Sequence, residues 1–112
     1  MKIRKHDGVY ISEKIEWGRT IWTRARGLIG KNLDSDAAFI LSPCNQIHTW
    51  FMKEEIDCVF LNKDNEIVYI LSNCPPWRAS KKIKNATCVV ELPSGKVDEM
   101  NIQIGESLFI ES

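Results

Sequence analysis

Nowhere in this chain do two cysteines form a C-x-x-C pair. Cys44, Cys58, Cys74 and Cys88 lie 14, 16 and 14 residues apart. That spacing excludes zinc-knuckle and thioredoxin-type motifs. Long apolar runs are also missing. No window approaches the roughly 20 apolar residues a membrane helix needs. The opening MKIRKHDG is charged and leads into no apolar segment, so neither a signal peptide nor an anchor is expected. A reducing cytoplasm with free thiols is the corresponding expectation. Charge of one sign is not in excess: 15 basic and 15 acidic side chains cancel. Nucleic-acid-binding domains usually carry surplus Lys and Arg, so no nucleic-acid partner is expected from that total. The local run Arg78, Lys81, Lys82 and Lys84 reads first as a solvated surface. Repeats, low-complexity tracts and linkers are absent. Gly27 and Gly30 lack the spacing and the lysine of a phosphate loop. There is no Gly-x-Ser-x-Gly elbow and no carboxylate pair in an acid–base arrangement.

What is present suits one domain over residues 1–112, long enough for a core without metal or disulfide staples. From Val9 to Trp17, odd positions read Val, Ile, Glu, Ile, Trp and even positions Tyr, Ser, Lys, Glu. That alternation predicts a half-buried strand. Thr20–Ile29 predicts a short helix, with Thr20 as N-cap, Ile21, Arg24 and Leu28 at helical spacing, and glycines at its end. AAFILS, IHTWFM, DCVFLN, EIVYIL, Thr87–Leu92 and ESLFIE are short runs rich in β-formers. The turn tetrapeptide Asn62–Asn65 makes Asp57–Leu71 a hairpin. Pro75 and Pro76 exclude a central strand, so Asn73–Asn85 is read as a loop. Cys58 and Cys88 sit in apolar runs and read as core, whereas Cys44 and Cys74, beside prolines, read as more exposed. The expected fold is mainly β (β-rich α+β). It is compact, mostly antiparallel and partly closed like a barrel, with one short helix on an open end or face.

Several motifs occur in order: Arg26-Gly27-Leu28, Pro43-Cys44, Ile47-His48-Thr49 with Met52, and Ile56-Asp57-x-Val59-Phe60-Leu61. Pro75-Pro76-Trp77-Arg78, Glu91-Leu92-Pro93-x-Gly95 and a late Gly105 follow. Over Thr20–Ile110 this series resembles the uncharacterised prokaryotic family catalogued as domain of unknown function 192. The resemblance implies a small β-rich domain and brings no activity, cofactor or partner. Ile29 stands where that family often has methionine, a volume-conserving swap. The order Trp50-Phe51 also differs from many relatives.

The residues themselves suggest where to look. On a strand, Ile47, Thr49 and Phe51 share one face and His48, Trp50 and Met52 the other, so His48 is expected to be partly covered. A histidine can donate, accept or ligate near neutral pH. Asp57 opens an apolar strand. It either bonds the preceding turn or pairs with Arg78 or Arg26, since a buried carboxylate demands a cation or several N–H donors. Trp77 and Arg78, stiffened by two prolines, suit stacking on a planar or sugar-like ligand and gripping an anion. Alternatively, the tryptophan folds onto the core and Arg78 closes an internal ion pair. Arg24 and Arg26 at a helix C-terminus have a sufficient structural account in its partial negative charge.

The leading expectation is therefore a non-enzymatic binding module with a small polar pocket of His48, Asp57, Trp77, Arg78 and Arg26. Its ligand would be a small polar or anionic molecule, a glycan or a protein, with no cofactor and no metal. Two alternatives stand beside it. One is a small hydrolase or metal-dependent enzyme using His48 with Asp57 or Cys44, which needs further donors or an activated thiol. The other is an interaction scaffold in which these residues only maintain the fold.

Overall fold

The computed structural model describes residues 2–18, 37–49 and 54–111. Among the described residues eight strands fall into two sheets. Strands β1 (Lys2–Lys5), β2 (Tyr10–Ser12) and β8 (Leu108–Glu111) form a three-stranded sheet in the order β2-β1-β8. Strands β3 (Lys14–Gly18), β4 (Ala37–Leu41), β5 (Ile56–Leu61), β6 (Ile67–Cys74) and β7 (Cys88–Pro93) form a five-stranded sheet in the order β3-β4-β7-β5-β6. Among the described strands only the β3–β4 pair is parallel. A four-residue helix, α1 (Lys96–Glu99), follows β7. The fold is β-rich as expected, but the described strands make two sheets and not a barrel.

The hairpin follows from local chemistry. Asn62 Oδ1 accepts from the amides of Asp64 and Glu66, both at 2.9 Å, and Asn65 takes the left-handed φ of 61° that asparagine tolerates. Antiparallel β5 and β6 leave either side of this turn. The expected strand over Val9–Trp17 instead divides at Glu13 into β2 and β3, which enter different sheets. Glu13 occupies a position that a continuous strand would turn inward, and Val9 is 47% exposed. The IHTWFM run yields no strand within its described part, only an isolated bridge between His48 and Ala79. The expected helix at Thr20–Ile29 lies outside the described residues.

Alternation along the central strands gives the large sheet two apolar faces. Ala38, Ile40, Val59, Leu61, Val90 and Leu92 point to one face and pack with Ile3, Ile11, Val97 and Leu108 of the small sheet and helix. Phe39, Leu41, Ile56, Cys58, Phe60 and Val89 point to the other. No described strand covers that second face. Two loop segments do, bringing Cys44, Ile47, Ile83 and Ala86 onto it. Cys44 and Cys74 are consequently buried, at 6% and 8% exposure, contrary to the expectation from their proline neighbours. Loops that serve as a layer of the fold carry apolar anchors inward, Cys44 among them, and Cys74 closes β6 on the same face.

Candidate functional site

Residues 43–49 and 75–87 are laced together along this second face. Ser80 N–H donates to the Ile47 carbonyl at 2.8 Å, and Ile83 N–H to that of Asn45 at 2.8 Å. Cys44 N–H donates to Thr87 O at 2.9 Å. Side chains add to the ladder: Gln46 Nε2 donates to Ser80 O at 2.9 Å, and Ser80 Oγ accepts from Ile47 N–H at 3.0 Å. Between the two segments lies a cleft of about 620 Å³, lined by residues 43–48 and by Ala79, Ala86 and Thr87.

Thr49 anchors the end of the ladder. It is fully buried and its hydroxyl donates to Pro75 O at 2.6 Å while accepting from Arg78 N–H at 2.9 Å. Its own N–H donates to Arg78 O at 2.7 Å, and its carbonyl accepts from Trp77 N–H at 3.0 Å. One threonine thus fixes three residues of the proline loop. The result is an unusual backbone: Trp77 has φ 62° and is 59% exposed. A bulky residue in the left-handed region costs about 1–2 kcal/mol, and the Thr49 bonds offset it.

Three of the five residues expected at the site meet along this ladder. His48 is exposed and bridges Ala79, and Trp77 and Arg78 stand on the adjoining turn. Arg78 is exposed, and its Nη1 donates to Trp77 O at 3.4 Å. Arg26 lies outside the described residues. Asp57 is placed elsewhere. It lies on β5 between Ile56 and Cys58, so its side chain points to the opposite face of the sheet, among the first cluster. There it is 0% exposed. Oδ1 accepts from Asn73 N–H at 2.7 Å and Oδ2 from Val97 N–H at 2.8 Å. Backbone donors, and not Arg78, satisfy the carboxylate. Asp57 clasps the end of β6 to the first turn of α1, one residue before Cys74 and the proline loop. Asn73, itself left-handed at φ 52°, accepts a short bond from Ser94 Oγ at the same clasp.

Two residues were not singled out from sequence. Thr49 stood out only as a neighbour of His48, and its hydroxyl gains its role from partners 26 and 29 residues away. Glu91 is a buried carboxylate at 7% exposure, facing the loop-covered side with its register partners Phe39 and Cys58. Its signals were an acid inside the apolar run TCVVEL and a place at the head of the Glu91-Leu92-Pro93 motif. Cys58 and Cys74 on that side, and Cys88 on the other face, are disfavoured as nucleophiles. Burial above all, then the nearby Glu91 charge, holds Cys58 well above the ordinary thiol range. Burial likewise raises Cys74, although a Thr49 hydrogen bond and the Arg78 charge pull the other way. Cys88 is pushed up to about 11, mainly by burial. Cys44 Sγ donates to Gln46 O at 3.0 Å. Among the described residues, no three His, Cys, Asp or Glu side chains gather in a metal-ligating group, and no helix is long and apolar enough to cross a membrane.

Comparison with known proteins gives one family and one fold. The family model DUF192, described as an uncharacterized ACR, matches residues 2–110. A UPF0127 protein of Thermococcus sibiricus is 31% identical over 113 residues, covering 96% of this chain and 73% of that protein. A UPF0127 protein of Pyrococcus abyssi is 28% identical over 85% of this chain and 84% of its own length. A crystal structure of a protein of unknown function from Novosphingobium aromaticivorans superposes with TM-score 0.82 at 18% identity, covering 97% of this chain and 82% of that one. A Sinorhizobium meliloti structure, named provisionally as a transcription regulator, superposes with TM-score 0.79 at 18% identity, covering 96% and 89%.

Proposed function

Because this chain belongs to the DUF192 family, whose matched relatives bear no assigned activity in their names, we propose a function from the loop geometry: a non-enzymatic binding module for an anionic ligand. The contacting groups are His48, which lines the cleft, and Trp77 and Arg78 on the turn before Ala79, with Thr49 and Asp57 positioning the proline loop from behind. Asp57 acts at a distance, by holding the root of the proline loop.

The observation that carries this reading is the presentation of Trp77. Its left-handed backbone costs stability, and its 59% exposure forgoes much of the roughly 2–3 kcal/mol that a buried large apolar side chain contributes. Glycine or asparagine would satisfy the turn without either cost. Pro75, Pro76 and the Thr49 bonds hold the backbone that carries the indole and the adjoining guanidinium before any ligand arrives, which lowers the ordering cost of binding. Burial opposes formation of the thiolate at Cys58 and Cys88, so neither serves as a nucleophile in this reading.

Two measurements test this together. Trp77→Gly and Arg78→Ala are expected to leave the unfolding free energy within about 0.5 kcal/mol of the parent, or slightly higher for glycine. Millimolar pyrophosphate is expected to perturb the NMR signals of His48, Trp77 and Arg78. A loss beyond about 2 kcal/mol for Trp77→Gly would make the indole a support of the fold. Silence toward pyrophosphate would remove the anion from the reading.

A further inference from the structure

We infer that β6 is a docking edge for a second copy of this chain. Two molecules pair their β6 strands antiparallel about a two-fold axis and join two five-stranded sheets into one. This goes beyond the anion surface proposed above and does not rest on it.

β6 closes the order β3-β4-β7-β5-β6, so only β5 adjoins it within the sheet. The tail of the chain occupies the start of its outer edge. Ile67 N–H donates to Glu106 O at 2.8 Å, and Gly105 N–H donates to Ile67 O at 2.9 Å. Glu66 bridges Ser107 in the same antiparallel sense. Among the described residues, no backbone bond then runs from residues 68–73 to any segment but β5. An antiparallel strand directs N–H and C=O groups to its two neighbours in alternation. About half of this stretch therefore offers them outward, which is a template for another strand.

The edge lacks the usual guards. β6 is the longest described strand, at eight residues, and IVYILSNC holds neither charge nor proline. Val68, Tyr69, Ile70 and Leu71 are only half-buried, and Ser72 is exposed. The other edge of the sheet is guarded: β3 reads KIEWG and carries Lys14 and Glu16. Two register shifts against β5 leave Tyr69, Ile70 and Leu71 as a regular stretch between them, and that stretch sets the centre of the pairing.

Charge selects the occupant. Antiparallel pairing sets the start of one β6 against the end of the other. The start follows Lys63, Asp64 and Glu66, a net negative end. Arg78 stands past the other end, and its charge reaches the Cys74 thiol that closes the strand. With Ile70 opposite Ile70 of the second copy, Glu66 falls opposite Cys74 and beside that cation. Glu66 and Arg78 are both exposed, and among the described residues neither enters an ion pair. Each copy brings the acid that the other's cation lacks, twice by symmetry. Such an interface is isologous and closes at two. Parallel pairing would set acid against acid. A strand pair of about 20 Å buries less than a standard interface, so association is weak.

Sedimentation velocity and amide exchange test the pairing. Between about 10 µM and 1 mM the parent protein is expected to pass from monomer to dimer, with a midpoint of about 0.1 mM. Amide protection at residues 68–73 should rise with concentration while that of β3 stays constant. Ser72→Lys sets a charge on the exposed edge and should weaken association about tenfold or more. Glu66→Arg sets like charges together at both ends and should do the same. Combining it with Arg78→Glu restores the match and should return the midpoint to within about threefold of the parent. Each variant is first checked for parental unfolding behaviour. A parent protein still monomeric at about 1 mM, a dimer without added protection at residues 68–73, or Ser72→Lys protein that associates like the parent would each overturn the inference. A double variant as weak as Glu66→Arg alone would overturn the antiparallel register and the second copy with it. Arg78 belongs to both readings, so pyrophosphate is titrated into monomeric Ser72→Lys protein, where the His48, Trp77 and Arg78 signals decide the anion surface by itself.

Discussion

Asp57→Ala is the substitution that most sharply separates support of the fold from contact with a ligand. The carboxylate is inaccessible and accepts two backbone N–H bonds, from Asn73 at 2.7 Å and Val97 at 2.8 Å. Hydrogen bonds to a charged acceptor contribute about 1.5–3 kcal/mol each, so the pair is worth roughly 3–6 kcal/mol gross. Two effects place the net loss near the low end. Asn73 is exposed, so water can replace the carboxylate there. Removing a buried charge also returns its dehydration cost. About 3 kcal/mol is expected. A chain of 112 residues unfolds with an entropy of about 0.24 kcal/mol/K near 60 °C, so the midpoint should fall by about 13 °C. Asp57→Asn should lose about 2 kcal/mol, because its amide oxygen serves one donor while its NH2 group faces the other. The assay is thermal and urea unfolding of both variants, with pyrophosphate titration well below the midpoint. Stability within about 0.5 kcal/mol of the parent, coupled with lost pyrophosphate binding, would refute the reasoning and return Asp57 to the ligand site.

Thr49→Val keeps the volume but removes the hydroxyl that bridges Pro75 O and Arg78 N–H; a loss of about 2 kcal/mol is expected, with amide exchange accelerated at Arg78 and unchanged in β7. Lys5 is buried, donates to the carbonyls of Met100 at 2.8 Å and Asn101 at 3.1 Å, and lies 3.6 Å from Glu106. Lys5→Met should therefore cost about 2–3 kcal/mol by urea unfolding, and a neutral outcome would mean that the chain end after α1 is held by packing alone. The buried thiols set an alkaline limit. Burial pushes the Cys88 thiol up to about 11, against 9.0 for an ordinary thiol. Between those values the unfolded chain has released a proton that the native chain keeps, so stability falls as pH rises through that window. Cys88→Ala should flatten the decline measured by urea midpoints, and an equally steep decline in that variant would refute it. Native protein at pH 8 should react with iodoacetamide far more slowly at Cys58 and Cys88 than unfolded protein does, as peptide mapping would show.

The legible parts of this protein are those whose cause is local. The Asn62–Asn65 turn and the runs that become β4 to β8 carry their patterns within a few residues. Cys58 and Cys88 declare their burial by the apolar company they keep. β1 did not declare itself, because three of its four residues are cations and one of those, Lys5, is turned inward to cap carbonyls at the far end of the chain. The break at Glu13 was present in the alternation as a charge at an inward position, yet nothing nearby said that the two halves enter different sheets.

At the candidate site the same division holds. Motif order and residue chemistry singled out His48, Trp77 and Arg78 as expected contacts, and the proline pair singled out the loop that carries the last two. Asp57 was marked too, but its surroundings depend on amides 16 and 40 residues away, on the other side of a sheet whose faces exist only after strands β4, β7 and β5 have paired. Period-two alternation assigns a side chain to one of two faces and is silent about what will cover each. Long-range pairing made that choice: it left one face to the small sheet and the other to the loops, and so turned one carboxylate into a clasp and one tryptophan outward.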